Sequence, residues 1–158
     1  MENLIRLLNP KTVNYEAIRV DNTMPLYTAQ DVILAISYAQ LTRLQENLIR
    51  LKCLGANTPE NILIFSELLT SKFDQEFCEK GLRVEYRLPI VKTALIEFCM
   101  VTGDYLPSTR NRAVFSGFSH MTVKNLMSKH IDEKKEFFNN QFEIAEAKIM
   151  HQLKKDTC

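Results

Sequence analysis

Only four glycines and five prolines occur in the 158 residues. An all-β fold turns its chain every 8 to 12 residues or so, so this shortage of turn material argues for few, long helices. Cys53, Cys78, Cys99 and Cys158 lie far apart, with no C-x-x-C pair, and the chain has three histidines. Metal-ligand spacing is therefore lacking, and no metal or cofactor is expected. A disulfide framework is not expected either, because a chain of this length does not need one and MENLIRLLNP has no secretory apolar region. Three of the cysteines sit in apolar surroundings and read as buried small hydrophobes in a reducing compartment. No run approaches the ~18 apolar residues of a membrane span. Together these absences lead us to expect a soluble cytoplasmic protein without membrane contact. His120, His130 and His151 stand at no diagnostic spacing from a serine or cysteine nucleophile, and no Gly-rich phosphate cradle is present, so no enzyme is expected. A net charge of +1 does not point to nucleic acid; any electrostatic case must rest on how the charge is distributed.

What is present is helical period. Residues 2–8 read as a short helix ended by Asn9-Pro10, and 11–26 as a loop or short extended piece. Thr28 N-caps a run of apolar residues at spacings of three and four that Gly55 closes, which predicts one continuous helix over 28–54. A helix-turn-helix over Thr28–Leu44 is the lesser reading there, because no glycine interrupts the run. Thr58-Pro59-Glu60 starts a second helix that lasts to Gly81, and the short link predicts an antiparallel hairpin of the two. That second segment holds five acids against two lysines, so Glu67, Asp74, Glu76 and Glu79 read as a solvated face. Leu82 to Leu88 alternates apolar and charged residues, the period of a half-exposed strand, with 12–20 as its available partner. Pro89 ends it, and a helix follows over 90–102, closed by Gly103. The last arm, Asp132 to Lys155, is amphipathic, and Phe138, Phe142, Ala145 and Ile149 keep a 4-3-4 spacing compatible with a coiled-coil seam.

The remaining stretch, 105–131, holds no acidic residue from Tyr105 to Ile131 yet carries Arg110, Arg112, Lys124 and Lys129. Its centre reads Ala-x3-Gly-Phe-Ser-x2-Thr-Val-x2-Leu, from Ala113 to Leu126. Ala113 is small where a second helix would cross, Gly117 tolerates a left-handed turn, and Ser119 can cap a following helix with Val123 and Leu126 turned inward. This order resembles the helix-turn-helix of DNA-binding regulators over residues 109–128. The resemblance implies a recognition helix in the major groove of double-stranded DNA, with Ser119, His120, Met121, Thr122, Lys124 and Asn125 at the bases and Arg110, Arg112 and Lys129 on phosphates.

The sequence thus predicts a mainly α protein: a helical bundle with a helix-turn-helix-like unit and a C-terminal amphipathic helix, with at most a minor β element. Residues 1–104 would be the helical core, 105–131 the DNA-binding unit docked on helix 90–102, and 132–158 the arm. The expected function is a small sequence-specific transcriptional regulator, homodimeric through the arm or the long helix pair. The alternative is a helical adaptor or inhibitor that binds another protein through Phe138, Phe142 and Ile149.

Overall fold

A computed structural model describes residues 27–100 and 107–155. The protein is mainly α, and no strand occurs among the described residues. The helices are α1 (Ala29–Tyr38), α2 (Arg43–Cys53), α3 (Pro59–Lys72), α4 (Asp74–Glu79), α5 (Val84–Cys99), α6 (Thr109–Ser116), α7 (His120–Thr122) and α8 (Ser128–Lys155). A π-helical turn, Val123–Met127, joins α7 to α8 without a break. No described helix is long and apolar enough to cross a membrane. The elements expected over 2–8, over 11–26 and at Gly103 lie outside the described residues.

The chain forms two compact units, one of residues 27–56 with 140–155 and one of Asn57–Asn139. The division therefore does not follow the boundaries at 104 and 131 that the sequence suggests, and α8 contributes its two halves to different units. The expected hairpin partners, 28–54 and 58–81, also belong to different units.

In the first unit the single helix expected over 28–54 is two helices. The break comes at Ala39–Thr42, where Gln40 takes φ 47. Thr42 restarts the chain as an N-cap: its hydroxyl accepts from Gln45 N–H at 3.2 Å, and Gln45 Oε1 accepts from Thr42 N–H at 3.1 Å. Two capped ends within one apolar run are what the periodicity conceals. The turn is held from afar, because Lys148 Nζ donates to the Gln40 carbonyl at 3.3 Å and to Gln45 Oε1 at 3.1 Å. Gln45 Nε2 in turn donates to Gln141 at 3.3 Å. Below this polar latch Val32, Ala35, Leu48, Ile49, Ala145 and Ile149 are buried. Lys52 Nζ lies 4.7 Å from the centroid of the Phe142 ring.

In the second unit α3 packs along α5, and α5 against α6. Thr58 caps α3 by accepting from Asn61 N–H at 3.3 Å, and Pro59 occupies the first turn, where its missing N–H costs nothing. Phe73 interrupts the expected 58–80 helix for one residue and turns its ring into a cluster with Phe77, Phe137 and Phe138.

The strand expected over 82–88 is instead the start of α5. Its alternation is accidental: Arg87 is buried, and with Ile90, Val91, Ala94, Leu95 and Phe98 it makes the inner stripe of a helix. A buried guanidinium needs acceptors, and Arg87 has them in the Leu82 carbonyl (3.1 and 2.9 Å) and the Asp74 carboxylate. Pro89 lies inside the helix rather than ending a strand. Of the cysteines read as buried, Cys53 and Cys99 are so, whereas Cys78 is exposed.

Candidate nucleic-acid interface

The stretch singled out by its charge folds into two helices and a tight turn. Ser108 caps α6, its hydroxyl accepting from Asn111 N–H at 3.1 Å. The helix ends at Gly117, which adopts φ 76 and donates its N–H to the Ala113 carbonyl at 2.9 Å. A Cβ at Gly117 would meet nothing within 4 Å, so glycine is needed there for its backbone, not for space. Phe118 stacks edge-on against Tyr86 at 5.1 Å between centroids, which fixes the turn on α5. Ser119 then caps α7 by accepting from Thr122 N–H at 3.2 Å. Across the turn, the Thr109 hydroxyl and His120 Nε2 are 2.6 Å apart.

The second helix turns Val123, Met127 and Ile131 fully inward. The inward partner of Val123 is therefore Met127, not the expected Leu126, which is 51% exposed. The π turn is the reason. A π turn has more than four residues per turn, so across it residues four apart, Val123 and Met127, come nearly into line. Beyond it Lys134, Phe138, Phe142, Ala145, Ile149 and Leu153 continue the buried stripe at ordinary helical spacing.

The opposite face is open. His120, Met121, Lys124, Asn125 and Lys129 are exposed, Ser119 is exposed at the cap, and Thr122 is half-buried. Arg110 is exposed on α6. Arg110, Lys124 and Lys129 enter no ion pair among the described residues. Ser119 and His120 are already engaged, the first in the cap and the second with Thr109, so both are positioned rather than free-swinging.

Arg112 is a correction. It is 5% exposed and turned into the unit, not toward solvent. Its guanidinium donates to Glu97 Oε1 at 2.7 Å and Oε2 at 2.9 Å, to the Asp132 carboxylate, and to the Ser128 carbonyl at 3.4 Å. The Glu97 side chain is fully buried, with Lys135 Nζ a further 3.6 Å from it. Burial works against the charge on Arg112, but the hydrogen bonds to Glu97 and Asp132 outweigh it and hold the pKa above its ordinary value. Arg112 thus anchors α6 to α5 and α8 and cannot reach a phosphate. The sequence carried one signal for this: Glu97 interrupts the apolar run Leu95–Cys99, and a buried carboxylate requires a cation.

The surface assigned to a protein partner is also a correction. Phe138 and Ile149 are fully buried and Phe142 is 4% exposed, all within the chain itself. The seam is closed, which removes both the coiled-coil route to a dimer and the aromatic docking face.

Compared with protein-family models, curated proteins and solved structures, the chain shows no significant match to any of them.

Proposed function

We propose that this chain is a small DNA-binding transcriptional regulator, with the helix after Gly117 lying in the major groove. The observation that supports it is the outward strip His120, Met121, Lys124, Asn125 and Lys129, opposite a buried stripe and preceded by a left-handed glycine turn. Asn125 can pair bidentately with adenine and Met121 can touch a thymine methyl, while Arg110 and Lys129 take phosphates. Arg112 has no part in this contact.

An electrophoretic shift with genomic fragments tests the reading. We expect a salt-sensitive shift, lost in Arg110→Ala/Lys124→Ala. A chain that shifts no fragment at low salt, or a double variant that binds as well as the wild type, overturns the reading.

A second reading, a helical adaptor that binds another protein, is favoured by α3. This helix holds Leu63, Ile64 and Leu68 outward at 41%, 57% and 64% exposure. Single exposed apolar residues are ordinary, but three on one helix are a usable surface. Recovery of one stoichiometric protein partner, lost in Ile64→Asp/Leu68→Asp, would favour it over DNA.

A further inference from the structure

The second unit contains a cleft between α3, α5 and α6 that the DNA reading does not use. Its volume is about 550 Å³, within the roughly 300–1,000 Å³ of small-molecule sites. Ile62, Leu63, Ile96, Val114 and Phe115 form an apolar wall, and Glu60 and Lys92 lie among the lining residues. These two charges do not pair with each other, and neither has an ion-pair partner among the described residues. Val114 is 80% exposed on α6, an apolar side chain left in water at the rim.

We propose that this cleft binds a small zwitterion with an apolar body, of amino-acid or dipeptide size. An apolar wall with one cation and one carboxylate, kept apart and unpaired, complements a ligand that has an ammonium, a carboxylate and an apolar side chain between them. Glu60 takes the ammonium and Lys92 the carboxylate, while the side chain covers Ile96, Val114 and Phe115. A plain fatty acid would leave Glu60 facing apolar chain or carboxylate, and a neutral apolar ligand would desolvate both charges without return. The inference stands independently of DNA binding, because the test is read without nucleic acid.

The test is calorimetric titration of the full chain with L-leucine and with L-leucyl-L-leucine, each beside its N-acetylated and its C-amidated form. Saturable binding of the free amino acid or of the dipeptide is expected, the stronger of the two identifying the natural size. Blocking either end should weaken it by about tenfold or more, since each end makes a charge-assisted hydrogen bond. Glu60→Gln should reproduce the effect of acetylation and Lys92→Gln that of amidation; Glu60 is exposed and Lys92 half-buried, and an unchanged thermal midpoint shows that each variant is folded. No saturation by either ligand up to about 10 mM overturns the inference, and so does equal binding of the blocked and unblocked forms.

Discussion

Replacing Arg112 by alanine separates a structural arginine from a DNA-contacting one. The wild-type side chain is 6% exposed and bridges a fully buried Glu97 to Asp132. Removing it takes two hydrogen bonds from the Glu97 carboxylate and leaves Lys135 Nζ at 3.6 Å. Breaking one side of a buried pair typically costs about 3–5 kcal/mol, because the remaining charge keeps its desolvation penalty. Against a stability of about 5–15 kcal/mol for a protein of this size, Arg112→Ala should lower the urea midpoint by about a fifth or more, followed by far-UV circular dichroism. Arg112→Met/Glu97→Leu, which removes both charges and keeps the volume, should recover most of the loss. Arg112→Lys should recover little, since an ammonium cannot make the forked contact with Glu97 and still reach Asp132. A loss below about 1 kcal/mol in the alanine variant would mean that the pair is effectively solvated, and Arg112 would return to the list of candidate phosphate contacts.

Three further outcomes follow from the same geometry. Phe138 is fully buried against Phe98 and Phe73, so Phe138→Ala should cost about 3–5 kcal/mol; a thermal midpoint that depends on protein concentration would instead show the seam to be intermolecular. Gln40→Gly should raise the thermal midpoint by an amount equivalent to about 1 kcal/mol, because a left-handed non-glycine residue is strained and the bond from Lys148 is to the backbone, which glycine retains; an unchanged or lower midpoint would refute the strain. The third concerns pH. Burial tends to raise the pKa of Glu76, but its hydrogen bonds from Lys134 and Lys80 prevail and hold it low; the hydrogen bond from Lys80 lowers that of Glu133. Both groups therefore add stability that is complete above the unfolded carboxylate pKa of about 4.3 and is lost as pH falls through their lower folded values. Lys80 is raised, first by Glu133 and then by Glu76, so its share is complete below about 10.4 and fades as pH rises beyond. The side chains are about a third exposed, so Lys80→Met should cost under about 1 kcal/mol at neutral pH. That difference should shrink in acid; a cost that stays constant from neutral pH down to pH 3 or so would show that Lys80 acts through packing alone.

Helix starts were legible because their causes are local. Thr28, Thr42, Thr58, Ser108 and Ser119 each accept from a backbone N–H three residues on, and all but Thr42 can be read as caps from composition. Thr42 escaped because the break before it has no glycine. Gln40 is held in a glycine-like conformation by a lysine 108 positions away, a cause that no local window contains. Arg87 and Arg112 failed for the same reason. Each is a cation at an inward helical position, made tolerable by a carboxylate 13 or 15 residues distant. Leu126 and Met127 exchanged roles through a π turn, which hydrophobic period alone does not announce. In the candidate site, then, the turn and the outward strip were readable, and the ion pair beneath them was not.

The loss of Arg112 changes what the DNA reading demands. An acid-free stretch with four cations keeps three that are exposed and unpaired among the described residues, Arg110, Lys124 and Lys129. Each phosphate neutralised on duplex DNA contributes about −0.9 to the slope of log K against log salt, so one copy of this unit should give a slope near −3 when Lys124 joins Arg110 and Lys129 on phosphates. Regulators with six to ten contacts or so lose several orders of magnitude in affinity on raising the salt from low to physiological; three contacts alone make a weak, mostly positioning interaction. Useful affinity then requires a second copy on an adjacent half-site, and the C-terminal seam cannot supply it because its residues are already buried. The outward apolar face of α3, with Ile64 and Leu68, is a surface still available for self-pairing. If the copies pair there, Ile64→Asp/Leu68→Asp should halve the salt slope from about −6 to about −3 and abolish cooperativity in the shift, without changing the bases contacted. A slope near −3 in the unaltered protein, with no dependence on pairing, would leave a single weak helix on DNA and shift the weight to the adaptor reading, for which the same α3 face is the docking surface.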